Sequence, residues 1–302
     1  MTSEEILNEN LLTENRRIPA LFERRIGHVA EVVDLMFSPK DVAREDLPGI
    51  LADVGQRYVR FVAASAPDFS DLPFQNRDKA KDTFRMLSEQ DAAYFALLVS
   101  KKLKEQKLSL FSATPFTPTD TFFVAYVENA LSNTAFSAFR DRYTGAVPLY
   151  LDSVRESVNA VSAGRAALAI IPVSGVAGEL SLSSLRYVED RELSFCAAYA
   201  SENDESVRFA FVSKSPLSMI FPATRMTCRL IPSSDFSAGS VLRAASMLGM
   251  TPLGFDTDRH SAHGNRGFFL TLSLDGTLPD AFIAYAYLFT ASCTLYGVYG
   301  MV

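Results

Sequence analysis

Apolar residues in this 302-residue chain recur at three- and four-residue steps as far as about Lys107, and that rhythm then stops. Steps of three and four put apolar side chains on one face of a helix, whereas strands need alternation or a short unbroken run. The chain therefore opens with helices and continues with something else. Thr2-Ser-Glu-Glu5 has the form of a capping box, and Pro19 suits the first turn of a second helix. Phe22, Ile26, Val29, Val33 and Met36 form one stripe, broken at Ser38-Pro39. The spacing predicts a third helix over Pro48–Ala64. After a proline-bearing loop it predicts a long fourth over Asp78–Lys104, ending in Lys101, Lys102 and Lys104, cations that favour a helix C-terminus.

Beyond Leu108 the pattern predicts strands at Phe122–Val127, Pro148–Leu151, Ala167–Val173, Leu193–Tyr199 and Val207–Val212. A helix over Ser153–Ala163 fits between the second and third, opened by Ser153-Val-Arg-Glu156 and stopped by Gly164. Strand–helix–strand spacing this tight implies an α/β layer with parallel pairing. From about Thr224 the reading is strand Met226–Ile231, helix Ser240–Leu248, strands Leu253–Thr257 and Phe268–Leu274, helix Pro279–Phe289 and strand Thr294–Tyr299. That is the βαββαβ order of ferredoxin-like units. The expected fold class is α plus α/β: a helical domain over 1–107, a reduced α/β domain over 108–222 and a ferredoxin-like domain over 223–302.

Composition narrows the function. A net charge of −6 and a pI near 5.2 disfavour a nucleic-acid partner, which a basic stripe would attract. No apolar run is long enough to cross a membrane. Cys196, Cys228 and Cys293 are too few and too scattered for a structural zinc site, and so sparse a set suits a reducing, cytoplasmic compartment. Asp256, Asp258, His260 and His263 are metal-ligand types, yet a polar loop between two strands accounts for them. Neither metal nor cofactor is expected.

The order of the three units, with several partial motifs, resembles bifunctional chorismate mutase–prephenate dehydratase, which ends in an ACT domain that binds L-phenylalanine. Asp152-Ser-Val-Arg-Glu-Ser-Val158, Ala163-Gly164 and Ala169-Ile-Ile-Pro-Val173 are similar to the dehydratase stretch that ends in Pro-Ile-Glu-Asn-Ser. Val207-Arg-Phe209 is similar to its Thr-Arg-Phe motif. Ser237-Ala-Gly-Ser-Val-Leu242 resembles the glycine turn at the first ACT helix, and Asp258-Arg259 stands where that family has Glu-Ser-Arg-Pro. Glu23-Arg-Arg25 and Arg44-Glu45 resemble mutase helix motifs.

The resemblance implies catalytic roles for Arg24, Arg44, Glu45 and Arg208. It implies ligand binding by Gly239, Ser240, Val241, Asp258 and Arg259. It also implies prephenate or chorismate as candidate substrate, L-phenylalanine or another aromatic amino acid as effector, and a homodimer. The chemistry departs from the family at definite places. Val207 stands where a threonine hydroxyl gives up a proton, and Ser174-Gly175-Val176 replaces Glu-Asn-Ser. Too few residues separate Pro172 from Val207 for a second lobe. In the mutase part, Leu7 and Leu35 fall where a cationic clamp needs arginine and lysine. Two functions follow as expectations: a prephenate dehydratase/chorismate mutase-like protein of L-phenylalanine biosynthesis with degenerate motifs, or a catalytically silent aromatic-amino-acid sensor or regulatory subunit. Plainer accounts of the same residues exist. Glu23-Arg-Arg25 fits a solvated helix face, Arg44-Glu45 a charged helix start, and Arg208 an outward position on an alternating strand.

Overall fold

The computed structural model describes residues 46–64, 74–118, 120–174, 181–200, 208–233, 236–257, 267–274, 276 and 279–302. The two helices expected before Pro39 lie outside them. In chain order the elements are α1 (Leu47–Ala64), α2 (Phe74–Glu105), β1 (Thr114–Pro115), β2 (Phe122–Val127), α3 (Ala130–Arg140), β3 (Ala146–Leu151), α4 (Val154–Ser162), β4 (Leu168–Ser174), α5 (Leu182–Glu189), β5 (Ser194–Ala200) and β6 (Arg208–Ser213). They continue with β7 (Leu217–Ser218), β8 (Arg225–Pro232), α6 (Ala238–Met247), β9 (Thr251–Thr257), β10 (Phe268–Ser273), α7 (Asp280–Phe289) and β11 (Thr290–Met301). Contacts group the chain into two compact units, each built from separated stretches where the sequence suggested successive blocks. One comprises Met1–Leu110, Pro232–Gly249 and Asp280–Ser292; the other comprises Phe111–Ile231, Met250–Pro279 and Cys293–Val302.

The first unit is helical. α7 is apolar around most of its circumference, with eight of its ten residues buried, so it needs neighbours on several sides. α1 and α2 supply two of them. Gly55 lets α1 approach α7 closely: a Cβ there would overlap the Leu288 carbonyl. Tyr58 stacks on Phe95 at 4.6 Å and meets the edge of Phe289 at 5.5 Å, while its hydroxyl bonds Asp91.

The second unit holds a nine-stranded sheet in the order β3-β2-β4-β6-β5-β11-β8-β10-β9. β2 runs parallel to β3 and β4, as the spacing predicts. From β4 onward the expectation of parallel pairing fails, because β6 returns antiparallel to both β4 and β5. β11 then joins β5 in parallel, so the last four strands, in the order β11-β8-β10-β9, extend one continuous sheet. Glycines permit that junction: a Cβ on Gly297 would overlap the Phe195 carbonyl, and one on Gly300 the Pro222 carbonyl.

Period-two alternation sends neighbouring residues into two separate cores. Ala169, Ile171, Ala210 and Val212 pack with Val158, Val161, Leu185 and Val188 of α4 and α5. Leu168, Ile170, Phe209 and Phe211 pack with Phe136 and Phe139 of α3. Two helices, α3 and α5, are absent from the sequence reading. α3 carries a signal, since the Asn129 side chain accepts from the Ser132 N–H as an N-cap. α5 has no side-chain cap, and its eight residues are too short for periodicity to stand out.

Candidate functional site

In sheets with parallel strands, ligands bind outside the carboxyl ends of those strands. β4 ends at Ser174. Antiparallel β6 begins there at Arg208, whose backbone N–H donates to Ser174 Oγ at 3.1 Å. β8 begins nearby in the sheet, where Thr224 N–H donates to the Tyr299 carbonyl of β11. Strand order thus brings Ser174, Arg208 and Arg225 to one end of a cavity of about 250 Å³.

Below the arginines the floor is a row of hydroxyls. Thr227 Oγ1 lies 2.7 Å from the Tyr299 hydroxyl and 3.0 Å from Thr271 Oγ1, so a hydrogen-bonded chain crosses β11, β8 and β10. Gly254 of β9 pairs with Thr271 of β10 and ends the row without a side chain. One step deeper, Phe195, Phe269 and Leu185 form an apolar wall, and Asp256 pairs in register with Phe269. Burial is the main influence on the Tyr299 phenol and raises it above its ordinary value. The Thr227 hydrogen bond and the positive charges of Arg225 and Arg208 oppose that rise without cancelling it. The hydroxyl therefore stays protonated at neutral pH and serves as a hydrogen-bond partner. Two guanidiniums at one end, neutral hydroxyls in the middle and aromatic walls below suit a small carboxylate with a flat apolar body.

Of the residues singled out from sequence, Arg208 lines this cavity and does not simply face solvent. Gly239, Ser240 and Val241 open α6 in the helical unit. There Ser237 and Ser240 form a reciprocal capping box. Ser240 Oγ also donates to Glu89 Oε1 at 2.9 Å, and Arg243 holds both oxygens of that carboxylate. A carboxylate of the chain itself thus sits against the α6 start. Arg24, Arg44, Glu45, Asp258 and Arg259 lie outside the described residues. Asp256 belongs to β9, within the strand expected over Leu253–Thr257, and no group of three metal-ligating side chains occurs among the described residues. Arg225, Thr227, Gly254, Thr271 and Tyr299 were not foreseen. The alternation of polar residues in Arg225-Met-Thr-Cys-Arg229 marks one face, but only sheet order joins it to Tyr299.

No family model matches the chain, and no curated protein matches it. Among solved structures, prephenate dehydratase from Streptococcus mutans is similar at 16% identity and a TM-score of 0.48, over 60% of this chain and 98% of that one. GqqA, described as a novel type of quorum quenching acylase, shares 16% identity at a TM-score of 0.47, over 59% of this chain and 94% of its own. Prephenate dehydratase from Arthrobacter aurescens in complex with L-Phe shares 12% identity at a TM-score of 0.45, over 59% and 89%.

Proposed function

We propose that the chain is a reduced, prephenate dehydratase-like protein that binds a small ring-bearing carboxylate in this cavity and does not dehydrate it. One observation carries the reading. Ser174 and Arg208, from the two stretches that resemble dehydratase motifs, meet at one end of the cavity, and Arg225 lines the same space. Two arginines give charge-assisted, directional bonds to carboxylate oxygens. The proton that dehydration needs has no source at position 207, because valine has none to give. The proposal extends to a cytoplasmic homodimer with a mutase-like helical part and an ACT-like end, acting as an aromatic-acid sensor or regulatory subunit.

Calorimetric titration with prephenate, chorismate, phenylpyruvate, Phe and Tyr tests it, alongside an assay for phenylpyruvate formation. Binding without turnover is expected, weakened about tenfold or more by Arg208→Gln or Arg225→Gln. No binding at millimolar ligand, or binding indifferent to both substitutions, would overturn the reading. A second reading draws on the hydroxyl row: in a surviving lyase, Tyr299 or Thr227 would protonate the departing ring hydroxyl as carbon dioxide leaves. Phenylpyruvate formed by the unmodified chain and lost in Tyr299→Phe would favour that reading.

A further inference from the structure

We infer that the cavity reads its ligand at both ends, and that Asp256 selects a ring carrying a hydrogen-bond donor opposite the carboxylate, as in a 4-hydroxyaryl acid. The inference rests on the carboxylate-binding role proposed for Arg208 and Arg225.

Strand register places the groups along an axis. Arg225 stands opposite Ser273, Thr227 opposite Thr271, and Thr271 opposite Gly254; Asp256 stands opposite Phe269, which faces Arg229. Arg225 and the Asp256 row are therefore four residues apart along β8, roughly 13 Å at about 3.3 Å per residue. The two side chains take up part of that distance, and the remainder matches a ring with substituents at opposite ends. An α-amino acid carries its ammonium and carboxylate on one and the same carbon. With its carboxylate at the arginines, its ammonium lies too far from Asp256 to be held there. What Asp256 meets is the far end of the ligand.

Two further features agree. The three hydroxyls of Tyr299, Thr227 and Thr271 share two hydrogen bonds, so one of their three O–H groups has no acceptor among the described residues. A carboxylate or keto oxygen above the row supplies that acceptor. Gly254 then leaves room for the ring: a Cβ there would touch only Thr271 Cβ, at 3.8 Å, so the floor is open on that side. The Asp256 carboxylate, half-buried at the cavity edge, makes no hydrogen bond or ion pair among the described residues.

The test is a pair of calorimetric titrations of the full chain with 4-hydroxyphenylpyruvate and phenylpyruvate, which differ only in the ring hydroxyl. The hydroxylated acid is expected to bind about tenfold tighter, the scale of a hydrogen bond to a charged group. Asp256→Ala is expected to remove the preference, so that the two acids bind with one affinity. Gly254→Leu is expected to weaken both. Equal affinities for the two acids, still lowered together by Arg225→Gln, would overturn the role of Asp256 and leave the carboxylate site standing. A preference that survives Asp256→Ala would also overturn it. Failure of both acids to bind would overturn the inference together with the reading beneath it.

Discussion

Arg243 grips Glu89 with two nitrogens, Nε 2.6 Å from one carboxylate oxygen and Nη2 2.7 Å from the other. The Glu89 side chain is 5% exposed and that of Arg243 49%, so the partners differ sharply in what they lose if parted. Burial alone would raise the Glu89 carboxyl. The hydrogen bonds from Arg243 and Ser240 and the positive charge of Arg243 reverse that, and the net effect is below the ordinary value.

Removing Arg243 strands a buried charge, whereas removing the Glu89 charge frees an arginine that can turn to water. Arg243→Ala is expected to cost about 3 kcal/mol at pH 7, and Glu89→Gln only about 1 kcal/mol. A folded-state value below the unfolded 4.5 means the stabilisation is complete above that pH and fades as pH falls through the folded value. The gap between the parent and Arg243→Ala should therefore narrow in urea melts below about pH 4.5. Equal costs for the two variants at pH 7 would contradict the asymmetry.

Gly55 makes a sterically unambiguous prediction. Even a methyl group at this position runs into the Leu288 carbonyl, a backbone atom that cannot swing aside. Gly55→Ala is expected to destabilise by about 1–3 kcal/mol, against the usual gain from placing alanine in a helix. A Cβ on Gly49 would meet nothing within 4 Å, so Gly49→Ala is the control that should be neutral or stabilising.

Thiol chemistry gives a third. Burial pushes Cys196 up to about 11 and Cys293 up to about 12, and holds Cys228 well above its ordinary value. Thiolate is the reactive form, so it is scarce at all three sites at pH 8. A disulfide-exchange reagent is expected to label the native chain slowly, and all three cysteines together on unfolding. One equivalent labelled within seconds in the native state would show that a thiol is activated.

How far the sequence reaches can be judged residue by residue. β2 was legible to its ends, because Phe122–Val127 is an apolar run bounded by polar residues. The long α2 was legible from its stripe and its terminal lysines. The antiparallel return of β6 was not, since alternation is the same for either strand direction. Arg208 was reachable through a motif, but its cavity was not. Arg225, Gly254, Thr271 and Tyr299 sit on four strands whose neighbours are decided by sheet order, and no local pattern encodes that. The α6 start shows the converse limit. The resemblance implied ligand binding by Gly239 and Ser240, while the carboxylate beside Ser240 is Glu89, far away in sequence.

The hydroxyl row yields the last prediction. Thr227 is its centre, 5% exposed and bonded to both neighbours. Valine has nearly the same shape, so Thr227→Val removes hydrogen bonds without opening a cavity. It leaves the buried Tyr299 hydroxyl and Thr271 without this partner, at an expected cost of about 1–3 kcal/mol. Tyr299→Phe removes an end of the row and leaves Thr227 bonded to Thr271, so about 1 kcal/mol is expected. The two variants should separate at high pH as well. Tyr299 ionises at a higher pH folded than unfolded, so its contribution is full below about pH 10 and declines as pH rises toward the folded value. Phenylalanine has no such dependence. Urea midpoints measured from pH 7 to 11 should show the parent losing stability at the alkaline end more steeply than Tyr299→Phe. Parallel curves would mean that the phenol is solvated and that the row does not exist in solution.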